Sequence, residues 1–356
     1  MFTTTNKASY FLRKKAFIPA FVILCLFSSC TNNRLLDELE SIFQSPEKKT
    51  AIPDKINFSK EALYPEGVSH DAKGQRFLVS SLRFGTIGSV SYTGEYTPLV
   101  EDADLISTIG IKVDEPRNRV LVAVSDPGAG LKTSPATAGQ LAAVGIYNLA
   151  NGNRMHFVNL GALRPGKMHF ANDITLDPQG NAYITDSFSP IIYKVDVNGN
   201  ATVLYEDDRF ATQPGEFGFN GIVYHPSGYL IIAFSKENKL YKFPINNPSS
   251  YSEVQLNTTL MGPDGLLLSN NGKQLIVVNN AGGVMPGKVM SFTSEDMWAT
   301  GSLQTTYETG AVFPTTATAY KKEIFVVYAY LNRLFSGASP VTEFSIQKVP
   351  FATVNI

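Results

Sequence analysis

Residues 172–186 read Asn-Asp-Ile-Thr-Leu-Asp-Pro-Gln-Gly-Asn-Ala-Tyr-Ile-Thr-Asp: a polar pair, a first strand, a turn closed by Gly180, and a second strand. Three further stretches share this register: Glu66-Gly67-Val68, Asn220-Gly221-Ile222 and Asp264-Gly265-Leu266. Like Asn172, each opens with an oxygen-bearing side chain, and a glycine follows eight positions later, at Gly74, Gly228 and Gly272. An apolar strand then begins, as in Phe77-Leu78-Val79. A repeat of roughly 45 to 60 residues suits a β-propeller, in which each repeat is one blade and cannot bury its faces without neighbours.

Two weaker units complete the pattern. One opens at Gly110-Ile111-Lys112-Val113 and turns at Glu115-Pro116-Arg117-Asn118, with Asn118, a residue tolerant of left-handed backbone, where its siblings carry glycine. The last opens near Thr316, turns at Lys321-Lys322 and continues as Glu323-Ile324-Phe325-Val326-Val327-Tyr328. Third strands follow in Ile191–Val195, Lys239–Phe243 and Lys288–Phe292, punctuated by glycine, proline and asparagine. The expectation is an all-β, six-bladed β-propeller over residues 54–356 with a central metal-binding channel. Residues Ile52 to Phe58 are placed to close it as an outer strand of the last blade.

Ahead of this domain, Lys7, Arg13, Lys14 and Lys15 precede an apolar run from Ala16 to Phe27, too short to span a bilayer. With Ser28 and Ser29 directly before Cys30, residues 1–29 read as a lipoprotein-type signal peptide, and Cys30 as the lipidated residue of an exported, membrane-anchored bacterial protein. Cys25 is the only other cysteine and would leave with the leader, so the domain must stand without disulfides. Loss of the leader removes four positive charges and no negative one, taking the net charge from −1 to −5. That leaves no basic patch for nucleic acid, and the expected partner is a small-molecule substrate bound by a monomer. Residues 30–53 read as a polar tether in which Leu35, Leu36, Leu39, Ile42 and Phe43 recur at helical spacing.

Glu66, Asn172, Asn220 and Asp264 fall at the channel entry of four different blades. Two carboxylates and two amides carry a formal charge of −2, and hard oxygen donors on a rigid ring suit Ca2+, with water or substrate filling the remaining coordination positions. His169, three residues before Asn172, is expected to reach the mouth as a proton shuttle or substrate contact. His70 and His225 read as structural, and His156 has no assigned role. Asp173 would point away from Asn172 on a strictly alternating strand, or orient it from behind. The pairs Ser125-Asp126, Asp186-Ser187 and Asn279-Asn280 read as turn-satisfying groups, and the Gly/Pro-rich stretch 126–167 as an insertion covering the mouth.

At Pro65-Glu66-Gly67, Asn172-Asp173, Asn220-Gly221 and Pro263-Asp264-Gly265 the chain resembles the six-bladed SMP-30/gluconolactonase (regucalcin) family over roughly residues 60 to 347, and its Asn172-Asp173 pair is similar to that of paraoxonases and diisopropyl-fluorophosphatase. The resemblance implies that Glu66, Asn172, Asn220 and Asp264 hold a divalent ion, usually calcium, and that the chain is a lactone hydrolase with Asp264 as base or nucleophile. Where the family motif continues with proline and an aromatic, Val68, Ser69 and His70 stand here. The rival expectations are a non-catalytic binding propeller with a structural metal, and a strictosidine-synthase-like propeller.

Overall fold

The computed structural model describes residues 51–351, which form six antiparallel sheets arranged as a six-bladed β-propeller. The expected leader, Cys30 and tether helix lie outside the described residues. Among the described residues, no helix is long and apolar enough to cross a membrane.

The innermost strands are Val68–Asp71, Ser107–Asp114, Ala171–Leu176, Phe219–His225, Pro263–Leu268 and Pro314–Tyr320, each packed against its neighbours around the axis. Three strands follow outward in each of the first five blades, and a two-residue strand, Gln255–Leu256, adds to blade five in parallel with Thr300–Gly310. Closure occurs as expected from position. Lys55–Ser59 is the outermost strand of blade six, pairing antiparallel with Glu343–Val349 so that Ile56 opposes Ile346 and Phe58 opposes Phe344. The apolar side chains of these strands, such as Phe77, Leu121, Ile184 and Phe325, are fully buried between sheets, where burial rather than local propensity stabilises the blades. The turn residues behave as their chemistry requires. Gly180, Gly228 and Gly272 have positive φ, and Asn118 takes the same left-handed conformation at φ 49°. Blade one differs, because Gln75 rather than Gly74 is its left-handed residue.

Two expectations are corrected by the register. In blades two to six a β-bulge interrupts the innermost strand over two residues: Ile109-Gly110, Asn172-Asp173, Asn220-Gly221, Asp264-Gly265 and Thr315-Thr316. Blade two therefore matches its siblings at Ile109 and blade six at Thr315, each one residue before the position read from the sequence. The second correction concerns residues 126–167. That stretch contains the third and fourth strands of blade two, Ala142–Asn148 and Arg154–Asn159. The long loop ahead of them is tied down by the buried Asp126 carboxylate, which accepts from the Gly128 N–H at 2.9 Å and from the Thr133 and Thr137 hydroxyls at 2.8 and 2.7 Å.

Candidate functional site

The bulge explains how three of the four donors, Asn172, Asn220 and Asp264, are presented. An extra residue in the strand breaks strict alternation and re-aims a side chain, here toward the axis at the first bulged position. The second position lies against the next blade, which is why it is so often glycine. A Cβ on Gly67 would stand 2.5 Å from the Ile109 carbonyl oxygen, and one on Gly221 would stand 2.2 Å from that of Asp264. Blade three has Asp173 at this position instead. Its carboxylate accepts from its neighbour Ile174 N–H at 2.8 Å and from Ile222 N–H of blade four at 3.2 Å, and makes no bond to Asn172.

Glu66, Asn172, Asn220 and Asp264 are all buried and line one cavity of about 740 Å3 at the channel mouth. The other two ring positions are Ile109, which also lines the cavity, and Thr315, whose hydroxyl donates to the Glu66 carbonyl at 2.5 Å. Among the described residues four buried side-chain atoms lack a hydrogen-bond partner, and three belong to this ring: Glu66 Oε2, Asn172 Oδ1 and Asn220 Oδ1. Buried oxygens are rarely left so, and three such acceptors on residues lining one cavity fit a hard cation. No cluster of three or more His, Cys, Asp or Glu side chains with metal-holding geometry occurs among the described residues, so the ring reaches four donors only through its amides.

Three of the four donors are held from behind. The Asn172 amide nitrogen donates to Ser187 Oγ at 2.8 Å, that of Asn220 to Ser235 Oγ at 3.1 Å, and Asn280 Nδ2 donates to Asp264 Oδ2 at 2.6 Å. The Ser187 and Ser235 hydroxyls then donate onward to the Phe219 and Pro263 carbonyls of the following blade, at 2.5 and 2.7 Å. These groups at the ends of the second strands thus orient the donors, a role that the turn-satisfying reading of Ser187 and Asn280 missed and that Ser235 was never assigned. Their signal was a near-constant spacing: 15 residues from Asn172 to Ser187 and from Asn220 to Ser235, and 16 from Asp264 to Asn280.

Electrostatics favour a positive charge here. Burial, then the charges of Asp264 and Asp173, hold the Glu66 carboxyl well above the ordinary range. Burial and the Asp173 charge do the same for Asp264, against the opposing amides of Asn280 and Asn220. Burial pushes Asp173 up to about 6, opposed by its backbone hydrogen bonds and by Lys112. Lys112 lines a second cavity, of about 380 Å3, where the inner strands end.

The structure does not bring His169 to this ring. Its side chain is buried in blade three, with Nδ1 2.7 Å from Asp186 Oδ2 and Nε2 3.0 Å from the Arg164 carbonyl, so neither nitrogen is free to shuttle protons. Burial lowers its proton affinity, but Asp186 and the Arg164 carbonyl outweigh that and raise it. His70 packs among Phe77, Tyr92 and Tyr320, and His225 stacks on Tyr229 with ring centres 4.1 Å apart, both structural as expected. No residue of 126–167 lines the mouth. That role falls to Phe217, ahead of blade four, and to the short helix Leu331–Phe335 of blade six.

No family model and no curated protein matches the sequence. Among solved structures, the chain is similar to the major allergen Mala s 1 of Malassezia sympodialis, at 20% identity and a TM-score of 0.66, covering 85% of this chain and 98% of that one. It is also similar to a gluconolactonase of Xanthomonas campestris, at 14% identity and a TM-score of 0.56, covering 83% and 89%. A third is virginiamycin B lyase of Staphylococcus aureus, at 13% identity and a TM-score of 0.52, covering 83% and 98%. At these identities the likeness is one of fold.

Proposed function

We propose that Glu66, Asn172, Asn220 and Asp264 bind Ca2+ and that the chain hydrolyses small lactones or related cyclic esters. The observation that carries this reading is the set of three partnerless oxygens, Glu66 Oε2, Asn172 Oδ1 and Asn220 Oδ1, buried beside a second carboxylate at the base of a ligand-sized cavity. A bound Ca2+ supplies Lewis acidity toward an ester carbonyl. Asp264, steadied by Asn280, takes the proton from the attacking water. Phe217 and the helix Leu331–Phe335 narrow the mouth and limit access of bulk water to the ring.

The same fold serves a gluconolactonase and a virginiamycin B lyase, so the choice of reaction rests on the lining. No histidine lines this cavity, which leaves the carboxylates as the bases. That same feature favours, as a second reading, a non-catalytic binding propeller in which Asp264 is only a ligand. Hydrolysis of a lactone panel with Ca2+ and with a chelator, in the wild type and in Asp264→Asn, decides between them. Calcium-dependent turnover lost in the variant supports the hydrolase, and calcium binding without any turnover supports the binding propeller. We further infer export and anchoring through Cys30, for which labelled fatty acid should enter the wild type and not Cys30→Ser.

A further inference from the structure

The cavity above the donor ring has an uneven chemistry. Its polar groups are concentrated at the floor, and apart from the three partnerless oxygens of the donor ring most are already engaged. The Ser235 hydroxyl donates to the Pro263 carbonyl, and Asn280 donates to Asp264. At the rim, Lys236 lies 3.5 Å from Glu216 and donates to the Ala211 carbonyl at 2.8 Å, while Glu216 accepts from the Gln213 N–H at 2.9 Å. No arginine lines the cavity.

The walls are mostly apolar, interrupted at the blade-six helix by Asn332 and Ser336. Blades one and two contribute Leu82 and Ile109, the latter at a ring position where four other blades place an oxygen. On the opposite side Phe170 and Phe217 line the cavity and Phe188 packs against both, with ring centres 5.1 to 5.4 Å apart. The helix of blade six adds Leu331 and Phe335. This apolar surface continues outward, for Phe217 is 37% exposed, Phe335 50%, and Val284 on the neighbouring loop 85%. A sugar lactone placed here would turn its hydroxyls against Leu82, Ile109 and Phe170, where each would lose water without gaining a partner.

Resting on the lactone-hydrolase reading, we propose that the substrate is a lactone bearing an alkyl or aryl substituent, that this substituent lies against Phe217 and Phe335, and that polyhydroxylated sugar lactones are disfavoured. The test uses six-membered lactones that differ only in what the ring carries: δ-valerolactone, δ-octalactone, δ-decalactone and glucono-δ-lactone, with the full chain in Ca2+. In wild type, kcat/KM should rise about two- to fourfold for each CH2 that reaches the wall, as burial of a methylene predicts, and δ-decalactone should exceed glucono-δ-lactone by at least about tenfold. In Phe217→Ser/Phe335→Ser, both partly exposed positions, the dependence on tail length should flatten while the calcium titration is retained.

A flat series, or a preference for glucono-δ-lactone, would overturn the substrate class and leave the hydrolase reading standing. If no lactone is cleaved, the hydrolase reading falls, and calorimetric binding of the uncleaved lactones judges the class by itself. Binding of δ-decalactone that the double substitution abolishes upholds an apolar ligand, and absence of binding overturns it.

Discussion

Replacing Glu66 by Gln should reverse the order of stability between variant and wild type when calcium is added. Without a cation, Glu66 Oε2 is buried with no partner, near the carboxylates of Asp264 and Asp173. At pH 7.5 the folded chain must hold a charge there or take up a proton, and either is unfavourable relative to solvent. Leaving such an atom unpaired costs about 1–3 kcal/mol, and more when charged, whereas an amide keeps the shape and offers donors to Asn172 and Asn220. A gain near 2 kcal/mol, at about 2 °C per kcal/mol for a domain of this size, puts the variant about 4 °C above wild type in chelator. With Ca2+ at a thousand times its Kd, wild type gains about 4.1 kcal/mol by mass action, about 8 °C, while the variant, with one ligand charge removed, gains far less. The sign with pH follows from linkage. Because the folded-state proton affinity of Glu66 is raised, wild type without calcium loses stability as pH climbs past the ordinary glutamate value, so the gap should widen from pH 4.5 to 7.5. Scanning calorimetry of both chains in chelator and in Ca2+ reads all of this. A variant that melts below wild type in chelator, or equal calcium shifts in both, would refute the reasoning.

Other predictions follow from the same geometry. Ser187→Ala removes the group that orients the Asn172 amide and should weaken calcium binding about 10- to 100-fold, seen by calorimetry, with little change in the circular dichroism spectrum. Asp264→Asn should lower lactone turnover by about 10²- to 10⁴-fold while the chain stays folded, a loss read directly from kcat. Gly221→Ala would force a Cβ to within 2.2 Å of the Asp264 carbonyl, and should cost about 1–3 kcal/mol in denaturant unfolding and weaken calcium binding as that strand shifts. The His169–Asp186 contact stabilises the protonated imidazole, so its contribution is fully present below the unfolded-state histidine value and is lost as pH rises through the higher folded-state one. The stability difference between wild type and His169→Gln should therefore be largest in mildly acidic urea melts and shrink toward alkaline pH.

The fold was legible because a propeller repeats its turn chemistry. Asn172, Asn220 and Asp264 stand at bulged positions, and the glycines that follow them close left-handed turns. The one-residue slips in blades two and six have a common cause. Blade two has Ile109 where its siblings carry oxygen, and blade six has Thr315-Thr316 with no glycine, so each lacked one half of the oxygen-then-glycine pair that set the register. The second residue carried a usable signal in blade two, since Gly110 matches Gly67, Gly221 and Gly265 in lying against the next blade's inner strand. Ser187, Ser235 and Asn280 were harder to find because a serine or asparagine at a strand end resembles ordinary turn chemistry, and only the repeated spacing separates them. His169 was not legible at all. What decides its role is Asp186, 17 residues away and on the adjacent strand, together with burial that short-range spacing does not reveal.

The central claim is that four side chains from four blades form one cation site, and calorimetric titration of Ca2+ into a chain beginning after Cys30, beside the same chain carrying Asn172→Ala, tests it most directly. Binding of one ion per chain, markedly weakened by removal of the partnerless Asn172 oxygen, is the predicted result. No binding to either chain, or equal binding to both, would contradict it.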